Sequence, residues 1–197
     1  MFYKIIQIIV WPFYRLFHPI KLIGKKNIPK GKAILVCNHH SNSDVVVLGT
    51  TIFRKQHFLA KKELFSKKFN SWFLRKMSAI PIDRNAVDLK AIKACLKVLK
   101  EDKLLTIFPE GTRNQTEEAL LEIKNGAGMI AVKSGAPIVP MWLEKRPRAF
   151  KKNRLIVGEP ISMEAYAGQK LSNELLDEIG KKLTDAMLSL KDSLENK

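Results

Sequence analysis

A histidine and an aspartate just beyond an apolar run are the residues whose types and spacing most suggest chemistry. The run Ala33–Cys37 gives way to Asn38-His39-His40-Ser41-Asn42-Ser43-Asp44, and Val45-Val46-Val47-Leu48 then opens a helix. Ser43 reads as the N-cap of that helix, which places Asp44 in its first turn and His39 in the loop five residues upstream. A carboxylate at a helix start can fold back and accept the imidazole Nδ1–H. That bond fixes the tautomer and stabilises the imidazolium once the other nitrogen takes a proton. Such a pair can act as the base for a hydroxyl that the substrate brings, with no serine or cysteine nucleophile. The same spacing also fits a loop histidine beside a helix cap. His40 raises a metal reading with His39 and Asp44 as ligands, but adjacent histidines in extended chain point in opposite directions.

A second polar cluster, Phe108-Pro109-Glu110-Gly111-Thr112-Arg113-Asn114, again follows an apolar run. Glu110 and Arg113 offer opposite charges, Gly111 lets the backbone approach a ligand, and Thr112 adds a hydroxyl. Such a turn suits phosphate binding through backbone N–H groups and a guanidinium, or is an ordinary salt-bridged turn. Ile80-Pro81-Ile82-Asp83-Arg84 delivers another arginine from a further strand end. Two arginines from separate strands could converge on one dianion.

These clusters need elements to position them. Apolar runs that read as buried strands fall at 33–37, 57–60, 79–82, 104–108, 137–143 and 154–157. Between them, 87–100 places Ile92, Leu96 and Leu99 on one helical face, and 125–134 is a short Gly- and Ala-rich helix. The stretch 171–194 repeats Leu175, Ile179, Leu183, Met187, Leu190 and Leu194 at helical spacing, as an amphipathic cover. The expectation is an α/β domain with a largely parallel central sheet covered by helices, its site at the carboxyl ends of the strands.

The 197 residues fit one such domain. Lys and Arg number 35 against 19 Asp and Glu, a net of +16, which calls for an anionic partner. The C-terminal stretch from Lys170 holds five Lys and six acids, so the remainder carries 30 − 13 = +17 and the positive field belongs to the body. Cys37 and Cys95 read as two buried thiols, and no Cys/His cluster suggests zinc. Residues 1–17 are rich in Ile, Phe, Tyr and Trp but broken by Lys4, Gln7, Pro12 and Arg15. That is too short and interrupted for a spanning helix of about 20 apolar residues, and no small-residue cleavage site follows. An interfacial amphipathic segment over 1–20 fits better, with Lys and Arg on the wet side, ahead of a domain over 21–197.

Together the clusters resemble the glycerolipid acyltransferase family, in particular its bacterial 1-acyl-sn-glycerol-3-phosphate acyltransferases. Asn38 to Asp44 matches the NHxSxxD form of the family's HxxxxD signature, and Ile80 to Arg84 matches the second block. Phe108 to Arg113 matches the third, and Ala136-Pro137-Ile138-Val139-Pro140 the fourth. The order and rough spacing agree over about 20–160. One departure is Ser78, where the family usually has glycine; another is Ile123, where relatives often have an aromatic residue.

The resemblance implies that His39 takes the proton of the acceptor hydroxyl as it attacks an acyl thioester, with Asp44 orienting the ring. It implies a phosphate site from Arg84, Glu110, Gly111, Thr112 and Arg113, with Glu110 holding an arginine and Lys124 as a further contact or a solvated lysine. Pro137 to Pro140 would shape the acyl channel. No metal or cofactor is implied. The partners would be lysophosphatidic acid, acyl-CoA or acyl carrier protein, and an anionic membrane surface at the cytoplasmic face of the cell membrane, held peripherally or monotopically. Another lysophospholipid or glycerol phosphate is the alternative acceptor. Two segments suit these anionic partners. Residues 54–76 carry eight Lys/Arg against Glu63 with interleaved aromatics, and 144–154 carry six with Phe150. A metal-dependent phosphoesterase would need more carboxylates at the strand ends. A nucleic-acid binder would leave the His39–Asp44 and Glu110–Arg113 pairs unused, so no nucleic-acid partner is expected.

Overall fold

The apolar runs lie side by side in one seven-stranded sheet, in a computed structural model that describes residues 1–84 and 86–195. The strands are β1 (Ile20–Ile23), β2 (Ala33–Cys37), β3 (Gln56–Lys61), β4 (Ala79–Ile82), β5 (Leu104–Ile107), β6 (Ile138–Leu143) and β7 (Asn153–Val157). Their order is β1-β7-β6-β2-β5-β3-β4, parallel throughout except where β6 meets β7. The helices are α1 (Phe2–Phe17), α2 (Asp44–Thr51), α3 (Lys68–Lys76), α4 (Leu89–Lys100), α5 (Gly126–Ser134) and α6 (Asn173–Glu195). This is the single, largely parallel α/β domain that the alternation of strands and helices implies.

β2 lies in mid-sheet, with Ile34 opposite Leu105 on one side and Ile138 on the other. All five of its residues are fully buried, as a parallel strand covered on both faces requires. Because side chains alternate, Ile34 and Val36 join the core with Leu99, Ile130 and Ile179 of α4, α5 and α6. Leu35 and Cys37 point the other way, into the core with Val47 and Leu48 of α2. Local signals fix the helix ends. Asp88 caps α4 by accepting the Ala91 N–H at 3.0 Å, and Gly135 ends α5 in the left-handed conformation.

Sequence patterning missed β1 and α3. β1 has only four residues, and α3 buries none of its side chains, so neither shows a long apolar period. Ile20 already pairs with Asn153, so the sheet begins inside the stretch assigned to the N-terminal segment.

α1 packs against α2 and the start of β1 through polar side chains, Gln7 among them buried. Lys4 is exposed and Arg15 half-buried, and both side chains reach backbone carbonyls of neighbouring segments. Lys4 donates to the Phe53 carbonyl, Arg15 to the Ile20 carbonyl, and Gln7 to the carbonyls of Gly49 (2.5 Å) and Ile52 (3.2 Å). Gln7 answers the C-terminus of α2, whose last carbonyls lack intrahelical donors, whereas Phe53 lies beyond that helix and Ile20 in β1. Ile8, Ile9, Phe13 and Leu16 are left exposed. Among the described residues no helix is long and apolar enough to cross a membrane.

Ser78, just before β4, has φ +64° and is buried. Its N–H donates to the Arg75 carbonyl at 2.9 Å and its carbonyl accepts the Phe58 N–H at 3.3 Å, so the chain is held in a conformation that favours glycine. A left-handed non-glycine residue costs about 1–2 kcal/mol. Ser78→Gly should therefore raise the thermal midpoint by roughly 2–4 °C for a chain of this size, measurable by calorimetry; an unchanged or lower midpoint would remove that account of the strain.

Candidate active site

Every polar cluster of the sequence emerges at the carboxyl edge of the sheet. β2 delivers His39, β5 delivers Glu110 to Arg113, and β4 delivers Arg84. The centre is the carboxylate of Asp44, which has no exposed surface. Its Oδ2 accepts from His39 Nδ1 at 2.8 Å and from the backbone N–H groups of His40 and Ser41, each at 2.7 Å. Its Oδ1 accepts the Ser41 hydroxyl at 2.8 Å. A carboxylate only accepts, so the His39 proton sits on Nδ1 and the lone pair on Nε2. Ser43 occupies the N-cap position of α2, but its side chain makes no cap bond; its hydroxyl lies 2.7 Å from that of Ser41.

The His39 ring is 8% exposed and stacks on Phe108, with centroids 4.0 Å apart and planes 15° from parallel. His40 turns elsewhere, its Nε2 lying 2.9 Å from Asn38 Nδ2 and 3.1 Å from the Leu143 carbonyl. The Asn38 amide grips both backbone groups of Leu143, accepting its N–H at 2.8 Å and donating to its carbonyl at 3.0 Å. The loop after β2 is thereby tied to the end of β6. Among the described residues no group of three or more His, Cys, Asp or Glu side chains could hold a metal ion.

Glu110 does not hold an arginine. It is buried, and its oxygens accept the backbone N–H groups of His39 (2.8 Å) and Leu121 (3.0 Å). Burial raises its pKa, and the two N–H groups work against that rise. A carboxylate facing two otherwise unpaired donors fixes the loop of 111–124 against the loop of His39. The Asn114 N–H adds a bond to the His39 carbonyl at 2.7 Å.

Thr112 and Arg113 remain on the surface of that loop. Gly111 has φ +67°, and a Cβ there would stand 2.9 Å from Lys124 Cε, so the lysine lies directly over the glycine. Partial burial lowers the Arg84 pKa, Glu63 opposes this, and the charge of Arg113 lowers it further. The two guanidiniums are therefore within electrostatic range of each other. Arg84, Gly111 and Lys124 rim a cavity of about 530 Å³ whose walls include Phe108, Ile82, Ile92 and Met129. Residues 137–140 are absent from that wall; Ile138, Val139 and Pro140 belong to β6 and are buried in the core, where a central strand has no channel to line.

The fold and this edge cluster define the class. The chain belongs to the Acyltransferase family, whose model matches residues 19–144. It is 35% identical to the 1-acyl-sn-glycerol-3-phosphate acyltransferase of Bacillus subtilis, over 90% of this chain and 89% of that one. The protein of the same description from Saccharomyces cerevisiae is 31% identical over 86% of this chain and 58% of its own. The crystal structure of the 1-acyl-sn-glycerophosphate acyltransferase of Thermotoga maritima superposes with a TM-score of 0.73 at 25% identity, covering 99% of this chain and 79% of that chain. The family read from the four sequence blocks is the family found.

Asn38, Ser41 and Phe108 were quoted in those blocks as letters and given no role. The contacts of Asn38 and Phe108 cross between strand ends, where no local pattern reports them, and Ser41 bonds Asp44 within its own loop. Glu110→Gln keeps one acceptor oxygen and turns an amide onto the second N–H. It should destabilise the fold by about 1–3 kcal/mol, the cost of a buried unpaired group; a urea midpoint equal to that of wild type would show that the two loops are held by something else.

Proposed function

We propose that the protein transfers a fatty acyl group from an acyl thioester to the sn-2 hydroxyl of 1-acyl-glycerol-3-phosphate, forming phosphatidic acid. The observation that carries this reading is the His39 ring, fixed by Asp44 and stacked on Phe108 at the wall of an apolar cavity rimmed by cations. In the proposed mechanism Nε2 takes the proton of the acceptor hydroxyl as its oxygen attacks the thioester carbonyl. The tetrahedral intermediate then collapses, the C–S bond breaks, and the thiolate recovers that proton from His39. Asp44 stabilises the imidazolium in between. Base assistance of this kind contributes about 10²–10⁴-fold.

Arg84, Thr112, Arg113 and Lys124 are the groups that would receive the acceptor phosphate, with Gly111 admitting Lys124 to its place. Glu110 would serve this site by holding its loop and not by touching the anion. The cavity beside Phe108 suits a hydrocarbon chain. The exposed apolar face of α1 would rest in the headgroup region of the cytoplasmic leaflet, where thioester donors are supplied, so that the acceptor need not leave the membrane. The similarity to proteins described as 1-acyl-sn-glycerol-3-phosphate acyltransferases supports the choice of acceptor.

Transfer from palmitoyl-CoA, and separately from acyl carrier protein, to lysophosphatidic acid in mixed micelles tests the reading. Wild type should form phosphatidic acid, and His39→Ala should lose at least 99% of the turnover while melting normally, an estimate at the low end of base assistance, roughly 10²-fold; more than a tenth of the activity remaining would rule out the base. Arg113→Ala should raise the acceptor KM about tenfold or more with little change in kcat, as loss of a charge-assisted contact does. An unchanged KM would move the phosphate site elsewhere. Replacing Phe13 and Leu16 together by Asp should lower partition onto anionic vesicles by about tenfold or more, and unaltered sedimentation would take α1 off the membrane.

A further inference from the structure

A second cationic group stands at the same edge of the sheet, on the other flank of His39. β5 and β6 pair with opposite sides of β2, so what leaves β5 lies to one side of His39 and what leaves β6 to the other. The connection from β6 to β7, residues 144–152, carries Lys145, Arg146, Arg148, Lys151 and Lys152. With Asn153 these line a hollow of about 420 Å³.

The connection is built and not slack. Asn153 is buried, and its amide accepts the Lys145 N–H at 3.2 Å and donates to the Lys145 carbonyl at 2.7 Å, closing the neck of the loop. The Phe150 N–H reaches the Phe17 carbonyl at 2.6 Å, and the Lys151 N–H reaches the Arg148 carbonyl at 3.3 Å. Glu144 is the one acid here, and Arg154 and Lys145 take its carboxylate at 2.9 and 3.0 Å. Among the described residues, Arg146, Arg148, Lys151 and Lys152 have no acidic partner. Like charges gathered around a concavity repel one another and focus a positive potential into it, which a bound anion relieves.

The proposed reaction brings together two anionic substrates at one Nε2. The acceptor phosphate is placed on the side of Arg84 and Arg113, and this hollow flanks the base from the other side. We propose that it holds the phosphate groups of a nucleotide-bearing thioester donor of the acyl-CoA type. The inference rests on the reading of His39 as the base of an acyl transfer. The 3′-phosphate of such a donor carries close to two negative charges, and its pyrophosphate adds to them, which suits the unpaired cations. A hollow admits a small polyanion, whereas an acidic carrier protein would present a convex surface. Bilayer contact is better served by α1, which leaves Ile8, Ile9, Phe13 and Leu16 exposed.

Calorimetric titration of the full chain with adenosine 3′,5′-diphosphate and with CoA tests this directly, without turnover. The pair Arg146→Ala and Arg148→Ala should weaken both by about tenfold or more and raise the acyl-CoA KM in step. The acceptor KM and the partition onto phosphatidylglycerol vesicles should stay as in wild type. Lys151→Ala with Lys152→Ala should repeat the effect if the first pair folds poorly. Unaltered nucleotide binding would overturn the proposal. So would a loss confined to vesicle partition, which assigns the hollow to lipid headgroups, or a rise in KM for acyl carrier protein alone. His39→Ala should bind nucleotide normally. Wild type that binds nucleotide through these arginines yet transfers no acyl group would instead sink the proposed function and leave the hollow standing.

Discussion

The Asp44 carboxylate is the interaction on which the rest of this edge depends. A carboxylate removed from water is stable in place only when its lone pairs are filled, and here four donors fill them. All four belong to residues 39–41, so the requirement that holds the carboxylate also shapes the loop. A further constraint is positional. Asp44 is the first residue of α2, and α2 packs through Val47 and Leu48 on the strand that ends just before His39. The imidazole is thus fixed by the same core that fixes the sheet.

Glu110 extends this principle across the gap between β2 and β5. One inward carboxylate satisfies a backbone donor from each of two loops, and the loop bearing Arg113 acquires a defined height above His39. The surface charges of that loop are free to meet a ligand because the acid among them is engaged below. The Asn38 amide makes the equivalent tie toward β6. Two polar side chains therefore set the spacing between three strand ends, and with it the spacing between His39 and the cations on either side.

Much of this was legible in the sequence for identifiable reasons. The continuous apolar runs reported strands buried on both faces, and the polar residues that followed each run reported the carboxyl edge. The fold of Asp44 back onto His39 followed from the five-residue spacing and the helix start. The role of Glu110 was misread because a glutamate three residues before an arginine looks like a surface ion pair. Nothing local shows that the turn points Glu110 at backbone from elsewhere. β1 was too short to show a pattern. α3 escaped because it packs by its aromatic edges, Trp72 and Phe73 against Phe2, without burying a stripe. Ile138, Val139 and Pro140 matched a family block yet lie in the core, so a sequence signature can mark packing as readily as a site.

One helix, α1, carries both an exposed apolar surface, Ile8, Ile9, Phe13 and Leu16, and a buried polar tie to α2. Its buried Gln7 donates to the carbonyls of Gly49 and Ile52 at the end of α2, the helix that begins with Asp44. Trimming the N-terminus to make the protein more soluble would remove its greasy surface and, in the same cut, strip the far end of the helix that carries the aspartate. In this architecture the exposed apolar face and the support of α2 are parts of one element, and neither can be cut away alone.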